Sequence, residues 1–145
     1  MKYKKITAWV LFVFWLILIF YFSNQPGSVS SDLSNNVLKT ILNNLAVSNF
    51  NIWVSILRKL AHFTEYFILS ILTLNLLKQY RKVEAGEFML VMLFCFFYAC
   101  TDEFHQLFVE NRGSSFLDVL LDYTGSLLYL TLNGFTRNLK RDEID

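Results

Sequence analysis

Charged residues are scarce in this 145-residue sequence, where they make up 17% of the chain and leave a formal net charge of +1. Because no face or tail is strongly basic, the composition excludes a general affinity for nucleic acid. Hydrophobic residues make up 54% of the chain and aromatic residues 17%. A soluble domain of this size must keep a large polar surface, so the composition predicts a single membrane domain over residues 1–145.

Cysteine and proline are also rare, with two cysteines and one proline in the chain. Cys95 and Cys100 lie five positions apart in one apolar run. On a helix they would point about 140° apart, which excludes a disulfide between them, and we interpret them as small apolar residues. Pro26 and Gly27 end the first apolar run and predict a turn in "SNQPG" (23–27).

Four apolar runs predict transmembrane helices. The first run follows "MKYKK", and the "YFSNQ" after it has no small-x-small cleavage site, so we expect an uncleaved span. Each of the other three carries ionisable residues toward one end. The approximate bounds are 6–22, 56–77, 88–108 and 116–135.

A polar segment, residues 28–51, separates the first two spans. Apolar residues recur in it at helical spacing, with asparagine and lysine on the other face; the apolar positions are Leu33, Val37, Leu38, Ile41, Leu42 and Leu45. This pattern predicts a short amphipathic helix. It would either lie on the membrane surface or pack against the ends of the bundle.

Basic residues predict the orientation of the chain. Nine lysines and arginines precede span one, follow span four or lie between spans two and three, whereas four lie in the other segments. Because cytoplasmic segments carry the excess of Lys and Arg, both termini should be cytoplasmic. The fold class predicted is thus an all-α integral membrane protein with four transmembrane helices and a short extracytoplasmic amphipathic helix.

Several of the few charged residues fall at matched depth in the last three spans. From the helical rise, Glu65, Asp102 and Asp122 lie about 18, 21 and 17 Å above the cytoplasmic edge. His62 lies three residues before Glu65, and His105 lies three residues after Asp102. Each histidine therefore shares one helix face with its carboxylate. A charge that faces lipid costs several kcal/mol, so these faces should turn inward and form a polar pocket that opens outward. The alternative is a buried salt-bridge cluster that only holds the helices together.

Three sequence motifs resemble those of the VanZ-like family. "RKLAHFTEYFILSIL" (58–72) resembles its Arg-Lys-x-x-His-x-x-Glu-Tyr motif, and "SNQPG" resembles the turn after its first span. "TDEFHQLFVENRGSSFLDVLLDYTG" (101–125) resembles a second motif, Asp-Glu-x-x-Gln-x-Phe followed by Arg and then Asp-x-x-x-Asp/Asn-x-x-Gly. Glu110-Asn111 stands where the family commonly has Pro-Gly, which affects the shape of that turn, and His105 occupies a less fixed position.

The resemblance implies a location and a phenotype but no reaction. The family's namesake is associated with resistance to the glycopeptide teicoplanin, so the expected location is the bacterial cytoplasmic membrane. Three functions stay open: a protein that binds or remodels a lipid-linked precursor or lipoglycopeptide, an intramembrane hydrolase or transferase, and a small ion-coupled transporter.

For a binding protein, arginine would meet phosphate or carboxylate through a bidentate fork, and Tyr66 would line an acyl chain. The ligand-binding candidates are Arg58, Lys59, Tyr66, Gln106 and Arg112. A hydrolase would use carboxylates and histidine as acid and base, or a divalent metal that activates water. The catalytic candidates are His62, Glu65, Asp102, Glu103, Asp118 and Asp122, and the metal candidates are His62, Glu65, Asp102, His105 and Asp122.

The motif evidence names no particular chemistry. The spacing is not the His-Glu-x-x-His of zinc proteases, and no glycine-rich phosphate loop is present. Ser114 and Ser115 are candidate nucleophiles, but beside Gly113 they favour a turn and a helix N-cap.

Overall fold

The computed structural model describes residues 2–41 and 49–142, with side chains described as far as residue 134. Five α-helices follow one another along the chain, and no strand occurs within these ranges. The helices are α1 (Lys2–Ser23), α2 (Gly27–Ile41), α3 (Phe50–Leu77), α4 (Ala85–Gln106) and α5 (Phe116–Asp142). The all-helical prediction is therefore confirmed.

Helices α1, α3 and α4 are each long and apolar enough to cross a membrane. They correspond to the first three predicted spans, but their ends differ from the prediction. Helix α3 already begins at Phe50, and α4 ends at Gln106, so Leu107 and Phe108 belong to the turn that follows. The fourth predicted span lies within α5, which starts at the expected residue but is not among the described helices that meet the same criteria.

Local chemistry explains where the helices begin. Pro26 immediately precedes α2, and its ring suits the edge of a helix, where an N–H is not required. The Glu87 side chain accepts a 3.0 Å hydrogen bond from the Glu84 amide as half of a capping box at the start of α4. At the start of α5, the Ser115 hydroxyl accepts a 3.2 Å bond from the Leu117 amide, so the N-cap interpretation of Ser115 is confirmed.

Helix α3 is the centre of the bundle, because it packs against each of the other four helices. Its second half forms an apolar core with α4 and α5 that includes Leu69, Leu74, Val91, Cys95 and Leu130. Large apolar side chains on α1 instead point away from the protein, among them Val10, Phe14 and Ile17. An exposed apolar surface of this extent fits contact with lipid and not with water. Both cysteines are free, as expected.

A glycine fixes the crossing of α5 over α3. A Cβ atom at Gly125 would lie 2.2 Å from the backbone carbonyl oxygen of Phe63, so no other residue fits without separating the helices. One residue further along, the Ser126 hydroxyl donates a 3.0 Å hydrogen bond to the Tyr66 carbonyl. A small residue beside a polar one is a common way for helices to pack in membranes. These contacts set the height of Asp122, which lies one turn before them.

Side chains that donate to backbone carbonyls join the first helix to its neighbours. The Trp15 indole N–H donates to the Glu65 carbonyl at 2.9 Å, and the Tyr98 hydroxyl donates to the Leu16 carbonyl at 3.0 Å. The first contact reaches α3 and the second comes from α4. Helix α1 is therefore held beside the polar residues of α3.

The amphipathic helix α2 packs against the bundle, which is one of the two arrangements that its sequence leaves open. It packs against α3, where Leu38 is buried, while Leu33, Val37 and Ile41 stay exposed. The predicted positions Leu42 and Leu45 lie outside the described residues. Residues 50 and 51, assigned to this segment from the sequence, belong to α3 instead.

Candidate functional site

Polar side chains from α3, α4 and α5 meet in one layer of the bundle. His62, Asp102 and Asp122 each offer a nitrogen or carboxylate oxygen, and these three atoms lie within 4.8 Å of one another. The convergence expected from their depth is therefore confirmed for these residues. We call this set, together with Glu65, the polar layer.

Glu65 lies behind His62 on the same helix, with its Oε2 atom 3.5 Å from His62 Nδ1. Both side chains are largely buried. Tyr66 follows and is completely buried, and among the described residues its hydroxyl has no hydrogen-bond partner. Tyr66 therefore offers no surface to an acyl chain in this conformation, which differs from the role expected for it.

The two aspartates of the polar layer have different surroundings. Asp102 is 5% exposed and accepts a 3.1 Å hydrogen bond from the side-chain amide of Gln106, one turn away. Asp122 is 1% exposed, and no described side chain or amide donates to either of its oxygens. Leaving a buried carboxylate without donors is costly, so Asp122 is the least satisfied acid of the layer.

Two other candidate acids have structural partners at the rim of the layer. Glu103 accepts a 3.1 Å hydrogen bond from the Ser115 amide and so ties α4 to the start of α5. Asp118 forms a 3.0 Å ion pair with Lys59, and both side chains are partly exposed. An exposed pair of this kind contributes little to stability.

Arg112 connects the turn before α5 to the end of α1. Its guanidinium donates to the carbonyl of Phe22 at 3.1 Å and to that of Ser23. A cation at the C-terminus of a helix satisfies carbonyls that have no partner within the helix. Arg112 thus has a structural role in addition to the ligand-binding role predicted for it.

The turn itself is shaped by Asn111, which has a φ of 55°. Asparagine adopts this left-handed conformation more readily than most residues. Gly27 packs against it so closely that a Cβ would lie 1.9 Å from the Asn111 carbonyl oxygen. The Gly27 amide also donates to the Glu110 carbonyl at 3.0 Å. The first turn and the Glu110-Asn111 turn therefore form one unit, although the family's Pro-Gly is missing here.

Arg58 brings a second positive charge close to Arg112. Burial lowers the pKa of Arg112, and the neighbouring Arg58 guanidinium lowers it further. Arg112 nevertheless stays charged, because an arginine is not deprotonated in proteins. Arg58 also lies 3.5 Å from the Ser31 hydroxyl of α2. Two like charges held side by side favour an anion between or beside them.

His105 lies apart from the three close donor atoms, although it was a predicted metal ligand. Its ring packs on Phe20 with 4.9 Å between centroids, and Nε2 lies 3.2 Å from the Asn24 side-chain oxygen. Its partners thus belong to α1 and the following turn.

Two cavities reach the polar layer from different sides. The smaller, of about 40 Å³, lies among α3, α4 and α5, and its walls include Arg58, His62, Gln106 and Asp122. The larger, of about 280 Å³, lies between α2 and α3. We call it the side cleft; it is lined by Phe22, Gln25, Ser30, Leu33, Ser34, Val37, Leu57, Arg58, Ala61, His62, Glu65 and Arg112.

Sequence reasoning did not anticipate the side cleft or the role of Gly125. The cleft depends on how α2 folds back along α3, which the amphipathic pattern of α2 does not specify. Gly125 is the glycine at the end of the second motif, so the motif marked this position. The need for glycine there becomes clear only from the close approach of the Phe63 carbonyl.

The bundle with its buried polar layer defines a class of multi-pass helical membrane protein. A family model described as VanZ/LLP1 matches residues 8–135. The chain belongs to the VanZ/LLP1 family, and the match covers the first predicted span from residue 8 onward and the other three completely. No curated protein and no solved structure matches the chain.

Proposed function

We propose that this protein binds an anionic amphiphile of the cell envelope, such as a lipid or a lipid-linked cell-wall precursor. The observation that carries the proposal is the side cleft, which leads from exposed apolar side chains to two arginines. Leu33 and Val37 are 46% and 48% exposed at its edge, whereas Arg58 and Arg112 lie at its polar end. A hydrocarbon chain suits the first part, and a phosphate or carboxylate suits the second.

The two arginines would act differently on a headgroup. Arg112 already donates to the end of α1, so its replacement would also disturb the turn. Within the described part of the chain, the hydrogen bond of Arg58 is a long 3.5 Å contact with Ser31, so Arg58 is the better probe of headgroup binding. A charged hydrogen bond of about 1.5–3 kcal/mol corresponds to roughly 10- to 100-fold in affinity.

The test compares lipid binding to purified protein in nanodiscs of phosphatidylcholine, with phosphatidylglycerol and a polyprenyl phosphate as anionic probes. Wild-type protein should retain the anionic probes over phosphatidylcholine, and Arg58→Gln should weaken this roughly 10-fold or more. Lys82→Gln is the matched control, since Lys82 lies in the α3–α4 loop outside both cavities. Equal retention by Arg58→Gln and wild type would refute the headgroup role.

A second variant tests the chain-binding part of the side cleft. Val37→Trp would fill it from α2, whereas Leu93→Trp places the same bulk on an exposed position of α4. We expect only Val37→Trp to reduce lipid retention. If both variants bind lipid as the wild type does, the chain does not occupy the side cleft.

The proposal includes a topology with four spans and both termini in the cytoplasm. Support comes from the packing of α5 along α3 and α4 and from the excess of basic residues in the segments predicted to be cytoplasmic. The polar layer would then open to the outer face. A reporter fused after Asp145 should be active only in the cytoplasm; activity in the outer compartment would overturn this orientation.

A second candidate function is an intramembrane hydrolase or transferase that acts on the same class of lipid. The close approach of His62, Asp102 and Asp122 favours it, because such groups can supply acid, base or metal ligands. Purified protein should then release the headgroup from the bound lipid, and Asp102→Asn should abolish the release. Binding without release of the headgroup would exclude the hydrolase or transferase and leave lipid binding as the function.

The role implied by the family's namesake, a contribution to glycopeptide resistance, follows from either function if the ligand is a cell-wall precursor or the antibiotic itself. Cells that express the protein should tolerate more teicoplanin than cells that express Arg58→Gln at equal membrane abundance. Equal sensitivity of the two strains would separate this protein from that phenotype.

A further inference from the structure

Three different helices supply three side-chain atoms of the polar layer that could bind one metal ion. His62 comes from α3, Asp102 from α4 and Asp122 from α5, with donor atoms within 4.8 Å of one another. Ligand atoms about 2.1 Å from a shared ion lie roughly 3–3.5 Å apart, so a small inward movement would place all three on one cation. The packing of Gly125 against Phe63 and the Gln106–Asp102 hydrogen bond hold two of them in place.

Asp122 supplies an independent sign of a ligand. It is 1% exposed, and both of its oxygens lack a hydrogen-bond donor among the described residues. The neighbouring acids differ: Asp118 pairs with Lys59, and Glu103 accepts a backbone amide. A carboxylate that stays ionised when buried without a donor needs a positive ion beside it.

The small cavity beside this cluster leaves space for further ligands. Its volume of about 40 Å³ is enough for two or three water molecules, and its walls include His62 and Asp122. Three protein ligands with adjoining water form the pattern of a metal site that keeps exchangeable positions.

We propose that His62, Asp102 and Asp122 bind one divalent transition-metal ion. One imidazole with two carboxylates suits Zn²⁺, Mn²⁺ or Fe²⁺ better than Ca²⁺, which prefers oxygen ligands alone. Glu65 is a positioning residue, because it lies 3.5 Å from His62 Nδ1 and can orient the ring when Nε2 is the ligand atom. The proposal does not depend on lipid binding in the side cleft.

The experiment uses full-length protein in detergent, stripped with a chelator and titrated with Mn²⁺ alone, without added lipid. Electron paramagnetic resonance should report about one bound Mn²⁺ per chain, and pulsed spectra should show coupling to the ¹⁴N of a single histidine. Asp122→Asn should weaken binding about 100-fold or more, and Glu65→Gln about 10- to 100-fold. Asp118→Asn, one turn away and paired with Lys59, should bind Mn²⁺ like the wild type.

Three results would each overturn the metal site: no Mn²⁺ or Zn²⁺ bound by the wild type, bound Mn²⁺ without nitrogen coupling, or unchanged binding by Asp122→Asn. Because the titration contains no lipid, its failure would leave the lipid-binding proposal standing. Loss of lipid retention by Arg58→Gln, in turn, would not affect the metal result. If Asp122→Asn unfolds, the nitrogen coupling in the wild type and the Glu65→Gln titration still decide the question.

Discussion

The two halves of the α3–α4–α5 bundle are built from the same helices but differ in chemistry. One half is the apolar core around Leu69, Val91 and Leu130, whose side chains are buried against one another. The other is the polar layer, where Asp122 is as deeply buried but neither of its carboxylate oxygens has a hydrogen-bond partner among the described residues. The first half has the packing that a stable bundle requires. The second carries groups that packing alone does not explain.

The difference indicates a division of roles along each helix. In lipid, helices associate through close packing and interhelical hydrogen bonds. The apolar core and Gly125 supply close packing, and the Ser126 hydroxyl supplies a hydrogen bond to the Tyr66 carbonyl, so we expect the bundle to hold without the polar layer. Buried unpaired polar groups reduce stability, and they persist most often where function requires them.

The largest loss of stability should follow truncation in the apolar core. Leu69 is completely buried, so Leu69→Ala should lower the free energy of unfolding by about 2–5 kcal/mol. Leu60→Ala, on the exposed side of the same helix, is the matched control and should have little effect. Thermal unfolding of the purified variants checks this. Equal stabilities would contradict the assignment of the core to this half.

A smaller loss is expected at the helix crossing. Gly125→Ala places a methyl group against the Phe63 carbonyl, and the resulting separation of α3 and α5 should cost about 1–3 kcal/mol. Gly134→Ala lies on the same helix with no atom within 4 Å of the added Cβ, and it should be tolerated. Membrane abundance and thermal midpoint report both effects. A tolerated Gly125→Ala would show that the crossing is looser than described.

The rim of the polar layer should contribute less. Asp118→Asn removes one partner of an exposed ion pair with Lys59, so we expect a change of about 0–1 kcal/mol. Repeating the unfolding measurement at high salt should reduce even this difference. A loss of unfolding free energy as large as that of Leu69→Ala would show that this ion pair stabilises the bundle as much as the apolar core does.

The smallest effect on stability, with the largest on function, is expected inside the polar layer. Glu65→Gln and Asp102→Asn preserve shape and should leave abundance and thermal midpoint nearly unchanged, because water from the adjoining cavities can solvate the remaining groups. Both variants should weaken the proposed binding of Mn²⁺, and Asp102→Asn should also abolish the headgroup release expected of a hydrolase or transferase. A fall in abundance in step with activity would make the layer a structural cluster.

Much of this architecture is predictable from the sequence, because apolar periodicity and breakers specify helices directly. The start of α5 at Phe116 and the end of α3 at Leu77 agree with the predicted spans, and the turn at Pro26 lies where expected. Equal depth predicted that Glu65, Asp102 and Asp122 would converge together with His62, since charges avoid lipid, and the structure brings His62, Asp102 and Asp122 together.

Other features depend on tertiary contacts that no local pattern contains. The capping of α1 by Arg112 joins residues about 90 positions apart, and helical spacing does not reveal the contacts of His105 with Phe20 and Asn24. The side cleft likewise requires α2 to lie along α3. Spacing predicts which residues share a face of one helix, but packing decides what that face meets.

The most direct test of the division between the halves is the stability of Asp122→Asn, measured in chelator beside wild type and Leu69→Ala. If the polar layer exists for function, replacing the unpaired carboxylate with a neutral amide should leave the thermal midpoint equal to or above that of the wild type. Leu69→Ala should fall below it by at least about 5 °C. A midpoint for Asp122→Asn as low as that of Leu69→Ala would contradict this account and show that Asp122 holds the bundle together.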